Sequence, residues 1–127
     1  MNLDYLFENW DHVLDLAVDH LQLSLVALGL ALIIAIPLGV LITVMRPLSL
    51  PVLVALSILY TIPSLAFLAF LIPWLDLGRK PAIAVLVVYA QLTLVRNISA
   101  GLKRVDGPTL EAAHGIGMSS WQVFRTV

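Results

Sequence analysis

The chain has no cysteine, which excludes disulfide scaffolds, thiolate metal sites and thiol redox chemistry. Charge is scarce: only 12% of the 127 residues are charged and the formal net charge is −1. With no basic cluster of the kind that tracks a phosphate backbone, nucleic acid is not expected as a partner. Lys and Arg are missing from the first 45 residues. No small-residue cleavage pattern follows a short apolar core either, so the N-terminus does not read as a secretory signal, and the anchoring segments stay in the mature chain. A GxxxxGKS/T phosphate loop and an HExxH pair are both lacking, so P-loop binding of ATP and zinc-protease chemistry are excluded. No catalytic constellation and no cofactor are expected.

What the chain has in abundance is apolar surface. Hydrophobic residues make up 61% and the mean hydropathy is +1.01, against about half apolar and a quarter charged in soluble domains. A soluble fold of this size could not hide so much of it in one core. The excess falls in long runs, which predicts an all-α integral membrane protein.

Residues 1–20 read as an amphipathic, extracytoplasmic interfacial helix. Leu3, Leu6, Phe7, Trp10, Val13, Leu14, Ala17 and Leu21 recur at helical spacing, with Asp4, Glu8, Asp11, Asp15 and Asp19 on the other face. Its purely acidic face is unfavourable against an anionic inner leaflet and places it outside. His12 and His20 beside these carboxylates are expected to be solvated rather than metal-bound. Leu21–Val44 reads as a first span, Met45–Leu50 as a turn, Pro51–Trp74 as a second span and Asp76–Pro81 as a loop. The third span starts at Ala82 and must continue past Arg96 and Asn97 to Leu102 to be long enough. Arg96 then either snorkels to the headgroups or faces the bundle interior. Residues 21–105 thus form a three-span part of a transmembrane domain.

Beyond Leu102 the sequence turns polar, and residues 106–127 read as two short helices. Pro108 suits a helix start, the first helix ends at Gly115–Gly117, and Ser119 with Gln122 forms a capping box that opens the second. With the N-terminus outside, three crossings leave residues 103–127 in the cytoplasm. Arg46, Arg96, Lys103, Arg104 and Arg125 then lie inside against Arg79 and Lys80 outside, as the positive-inside rule requires.

Pro37 and Pro63 fall inside spans, where each is expected to kink the helix. At Pro63 the Leu59 carbonyl is released, and the Thr61 or Ser64 hydroxyl is available to local backbone groups. The segment containing Tyr60, Thr61, Pro63 and Ser64 reads either as a bent, partly polar lining of a translocation path or as a static kink. Gln91 and Asn97 are likewise path-lining or interhelical hydrogen-bonding groups, the latter preferred for Gln91. The few aromatics look scattered along the chain.

The stretch Glu111-Ala112-Ala113, with Gly117 following after three intervening residues and Val127 after nine more, resembles the EAA loop of ABC-importer permeases. Its position after a third span makes the match specific. Ala112 and Ala113 let a helix sit deep in a partner's cleft, Glu111 offers a charge to a partner cation, and Gly117 permits the bend. From His20 onward the chain most resembles the permease subunit of osmoprotectant importers, which carry glycine betaine, choline or carnitine. His20–Ala27, Ala35–Gly39, Tyr60–Ala66, Pro81–Ala84, Val95–Asn97 and Val105–Pro108 carry that resemblance.

The resemblance implies a non-enzymatic permease in the inner membrane, working as a pair of permease subunits. ATP is hydrolysed on a separate cytoplasmic ATP-binding subunit, and an extracytoplasmic substrate-binding protein delivers the solute. An importer permease for another solute, such as methionine, and a non-transporting membrane anchor are the rival readings. Chains of the family continue past the EAA loop, so this one reads as a truncated member, unable to transport by itself.

Overall fold

In the computed structural model, residues 10–104 and 107–126 are described. Every regular element among them is a helix, in the order α1 Trp10–Val44, α2 Arg46–Thr61, α3 Ser64–Leu75, α4 Arg79–Lys103, α5 Gly107–Gly115 and α6 Ser120–Thr126. The 35 residues of α1 rise about 52 Å, well beyond the roughly 30 Å of a bilayer's hydrocarbon core. The 25 residues of α4 are also long enough to cross.

The packing of α1 on α4 organises the rest. Ala27, Ala31, Ala35 and Gly39 are the buried row of α1, one residue every four, which puts them on a single face. Opposite stand Val85, Gln91, Val95 and Ser99, buried on α4. Water is absent from a membrane interior, so two helices gain by van der Waals contact and interhelical hydrogen bonds, and small residues allow their backbones to approach. Gly39 is a point of very close approach. A Cβ there would lie 2.6 Å from Ile98 Cγ2 and 2.8 Å from Ile98 Cβ. One turn on, the Thr43 hydroxyl bonds to the Gly39 carbonyl at 2.7 Å and to the Ser99 hydroxyl at 3.0 Å. Ile42, Ala35 and Val95 form the buried centre, closed by Val52, Leu53 and Leu56 of α2.

The register of this contact fixes the topology. Asp19 stands beside Arg79, Ala31 beside Gln91, Gly39 beside Ile98 and Thr43 beside Ser99. Both numbers rise together, so α1 and α4 run parallel. The chain between them must therefore return to the end where α1 began. It does so through α2, about 24 Å long, and then α3, bent from it by 90°. A re-entrant hairpin would have left α4 antiparallel to α1. Residues 46–75 therefore lead back along the bundle as one broken pair of helices, a candidate third span.

Several boundaries differ from the sequence reading. Trp10–His20 does not form a helix of its own but continues into the first span without interruption, because no glycine or proline precedes Gly29. An acidic face marks polarity, not a change of direction. The rest of the expected interfacial helix, residues 1–9, lies outside the described residues. Pro37 sits inside α1 without ending it. The turn after the first span shrinks to Met45, since Arg46 already opens α2 with Pro47 in its first turn, where a missing N–H is harmless. The second span is no continuous helix. The next loop is only 76–78, with Asp76 at φ 64° and Gly78 at φ 143°, and α4 begins at Arg79.

Replacing Gly39 with Ala should destabilise the α1–α4 pair by about 1–3 kcal/mol, the usual result of overpacking a close contact. Gly29 has nothing within 4 Å of its missing Cβ, so Gly29→Ala should be near neutral. Helicity followed by circular dichroism during unfolding in mixed micelles compares the two directly.

Candidate functional site: a coupling helix pair and a broken span

Among the described residues, the backbones of α5 and α6 lie close to each other and not to the membrane helices. Ala113 and Val123 are buried within the pair, while Glu111 and Ala112 are exposed. Its geometry follows from local rules. Gly117 has φ +83°, the left-handed conformation that ends helices and that a side chain resists. This conformation lets Gly117 N–H reach the His114 carbonyl at 2.9 Å and Met118 N–H the Ala113 carbonyl at 3.1 Å, so the last carbonyls of α5 are satisfied. Ser119 and Gln122 then exchange hydrogen bonds. Ser119 N–H donates to Gln122 Oε1 at 2.8 Å and Gln122 N–H to Ser119 Oγ at 3.4 Å, the reciprocal capping box read from the sequence. The exposed face also carries two large apolar residues, Ile116 at 80% and Trp121 at 70% exposure, which the emphasis on small residues overlooked.

The second cluster lies at the break between α2 and α3. The helical pattern is interrupted at Ile62 and Pro63, and the backbone groups there find partners. Ile62 N–H reaches the Leu59 carbonyl at 3.3 Å, and the Thr61 hydroxyl donates to the Ile58 carbonyl at 2.7 Å. The freed Leu59 carbonyl is thus met by backbone, while the Thr61 hydroxyl serves a neighbouring backbone carbonyl, as expected. The Ile62 carbonyl accepts from the Tyr89 hydroxyl of α4. Tyr89 also packs against Tyr60, with centroids 5.7 Å apart, and Phe67, at 6.3 Å. Aromatics that look scattered in sequence therefore meet here. Tyr89 is the residue the sequence reading missed, and only its place two residues before a polar Gln91 could have flagged it.

Of the remaining candidates, Gln91 does not join this cluster. Two residues from Tyr89 it points to nearly the opposite face of α4. Its Nε2 donates to the Ala31 carbonyl at 3.2 Å and to the Val87 carbonyl at 3.0 Å, and its Oε1 is buried without a partner among the described residues. It is an interhelical bond, the preferred of its two readings. Thr93, Arg96 and Asn97 are exposed on α4. Tyr60, Thr61, Pro63 and Ser64 stand together at the break, all four exposed.

The two ends of the bundle differ in charge. At one, Asp19 of the acidic row on α1 pairs with Arg79 at 3.9 Å, both exposed. Arg79 is one of the two cations, with Lys80, that the orientation read from the sequence leaves outside. At the other end lie Arg46, Lys103 and Arg104.

A bundle of helices long and apolar enough to cross a membrane, followed by such a helix pair, is consistent with a membrane permease. The model of the binding-protein-dependent transport system inner membrane component family matches residues 21–127, and the chain belongs to that family. It is 41% identical over 125 residues to the glycine betaine/carnitine/choline transport system permease protein OpuCB of Bacillus subtilis, covering 98% of this chain and 58% of that protein. It is 40% identical over 120 residues to the carnitine transport permease protein OpuCB of Listeria monocytogenes, covering 94% of this chain and 55% of the relative. To the osmoprotectant import permease protein OsmW of Salmonella typhimurium it is 39% identical over 130 residues, covering 98% and 60%. The chain thus spans somewhat over half the length of the curated relatives it matches. No solved structure matches it.

Tyr89→Phe leaves the Ile62 carbonyl without its donor while keeping the ring contacts. A loss of about 1 kcal/mol in unfolding free energy is expected, together with faster hydrogen exchange at residues 60–67 than in the wild type.

Proposed function

We propose that this chain is the transmembrane permease part of an ATP-driven importer of osmoprotectant quaternary amines, glycine betaine, choline or carnitine. The single observation that carries the reading is the α5–α6 pair. An exposed Glu111-Ala112 edge and a left-handed Gly117 lie just beyond a third crossing. The names of the relatives supply the substrate class, and the family supplies the expectation of partners. Those partners are a cytoplasmic ATP-binding subunit, an extracytoplasmic substrate-binding protein and a second permease subunit.

In this reading the N-terminus is outside and residues 103–127 are cytoplasmic. Glu111, Ala112 and Gly117 dock in a cleft of the ATP-binding subunit, with Ile116 and Trp121 adding apolar contact, while Ala113, expected at that surface, is buried and holds α5 on α6. Closure of the ATPase pair pushes on α5 and α6, and α4 carries that push into the bundle. The Tyr60–Ser64 break and the exposed Thr93, Arg96 and Asn97 face a path completed by the second permease subunit. Polar groups exposed at membrane depth need protein or water as neighbours.

Glu111→Lys places a cation where a partner cation is expected, and Gly117→Val forces a branched side chain into a left-handed backbone at about 1–2 kcal/mol or more. In the assembled importer both should reduce co-purification of the ATP-binding subunit at least about tenfold, with membrane insertion intact. Betaine-dependent growth at high osmolarity should fall in parallel. Unchanged association would contradict the coupling role, and rescue by methionine uptake instead would reassign the cargo.

A further inference from the structure

A cavity of about 670 Å³ opens between the end of α1, the start of α2, the end of α4 and the first half of α5, lined by Thr43, Arg46, Ser49, Leu102, Lys103 and Leu110. Two of its six lining residues are cations and none is acidic. The ion pair formed among the described residues lies at the other end of the bundle, between Arg79 and Asp19. No described carboxylate therefore neutralises Arg46 or Lys103. The Thr43 hydroxyl is already engaged with Gly39 and Ser99. The donors available to a ligand are the Arg46 guanidinium, the Lys103 ammonium and the Ser49 hydroxyl. This is the chemistry of a phosphate site: a planar fork and a point charge converging on one anion.

The surroundings select the form of that phosphate. The spans read from the sequence end at Val44 and Leu102, so in the topology proposed above the cavity sits where hydrocarbon gives way to headgroups. Val44 and Leu50, flanking its cation on α2, are 77% and 75% exposed, and Leu102 and Leu110 line the cavity itself. A free anion gains nothing from that apolar border, whereas a lipid can lay its acyl chains along it.

We propose that this cavity binds the headgroup phosphate of an anionic phospholipid such as phosphatidylglycerol, between Arg46 and Lys103. Basic pockets between spanning helices on the inner face are suited to such headgroups. Because Leu110 belongs to α5, the bound lipid touches both the bundle and the coupling pair. It braces the pair at the angle from which it projects.

The test uses the full chain in zwitterionic micelles, titrated with phosphatidylglycerol or phosphatidylcholine and read by native mass spectrometry of retained lipid. The wild type should retain phosphatidylglycerol about tenfold or more tightly than phosphatidylcholine, and Arg46→Gln with Lys103→Gln should remove that preference. Arg79→Gln with Lys80→Gln, which removes equal charge at the opposite end, should leave it. Arg46→Lys, which keeps the charge, should retain most of it even where the double variant loses helicity. Equal retention of the two lipids, or equal loss in the two charge-matched double variants, would overturn the site. Full displacement of phosphatidylglycerol by millimolar inorganic phosphate would assign the cavity to a free anion and overturn the lipid.

Discussion

The close approach of α1 and α4 is the constraint on which the rest of the molecule depends. Lipid tails are as apolar as leucine, so nothing expels these helices from their solvent, and they adhere only where they fit. The fit comes from a row of Ala27, Ala31, Ala35 and Gly39 that leaves room for Ile98, Val95 and the Gln91 amide. Two hydroxyls at Thr43 and Ser99 secure one end. Because the matched pairs rise in number along both helices, the contact also decides direction. Parallel first and last spans oblige the intervening chain to cross back, whatever its shape.

That obligation gives the broken span its meaning. Residues 46–75 return along the bundle with a 90° bend, and an interrupted helix in a membrane survives only where protein or water meets its freed backbone groups. The Tyr89 hydroxyl on the Ile62 carbonyl is one such partner, supplied by the same α4 that holds α1 with its other face. One helix thus carries both the small-residue interface and the partner of the break, and it precedes the α5–α6 pair in the chain. If α5 and α6 dock on an ATPase as proposed, a push on them has α4 as its route into the membrane, and the proposed lipid sits at that junction.

Features governed by neighbours in sequence are legible in the chain itself. The first and third spans follow from apolar runs. The Gly117 bend and the Ser119–Gln122 exchange follow from capping chemistry confined to a few residues. Features governed by partners far along the chain are not. Pro63 announces a disturbance, but a sharp break pinned by Tyr89 requires a residue 27 positions from Ile62. The face on which Gln91 falls depends on how α4 is rotated against α1. The continuity of α1 past His20 is hidden because an amphipathic pattern is the same for a helix lying on a membrane and for one projecting out of it. The small-residue row itself stands in the sequence at four-residue spacing, and reading it as an interface would have located the α1–α4 contact.

A cysteine-free chain allows the central claim to be tested without background. Asp11→Cys and Ser120→Cys, made separately and treated with a membrane-impermeant maleimide in right-side-out and inverted vesicles, report which side each end occupies. Parallel α1 and α4 with one crossing between them predict opposite patterns, and the proposed orientation has Ser120→Cys labelled from the inner face and Asp11→Cys from the outer. Labelling of both positions from the same side would mean an even number of crossings, and would contradict the packing from which the topology is derived.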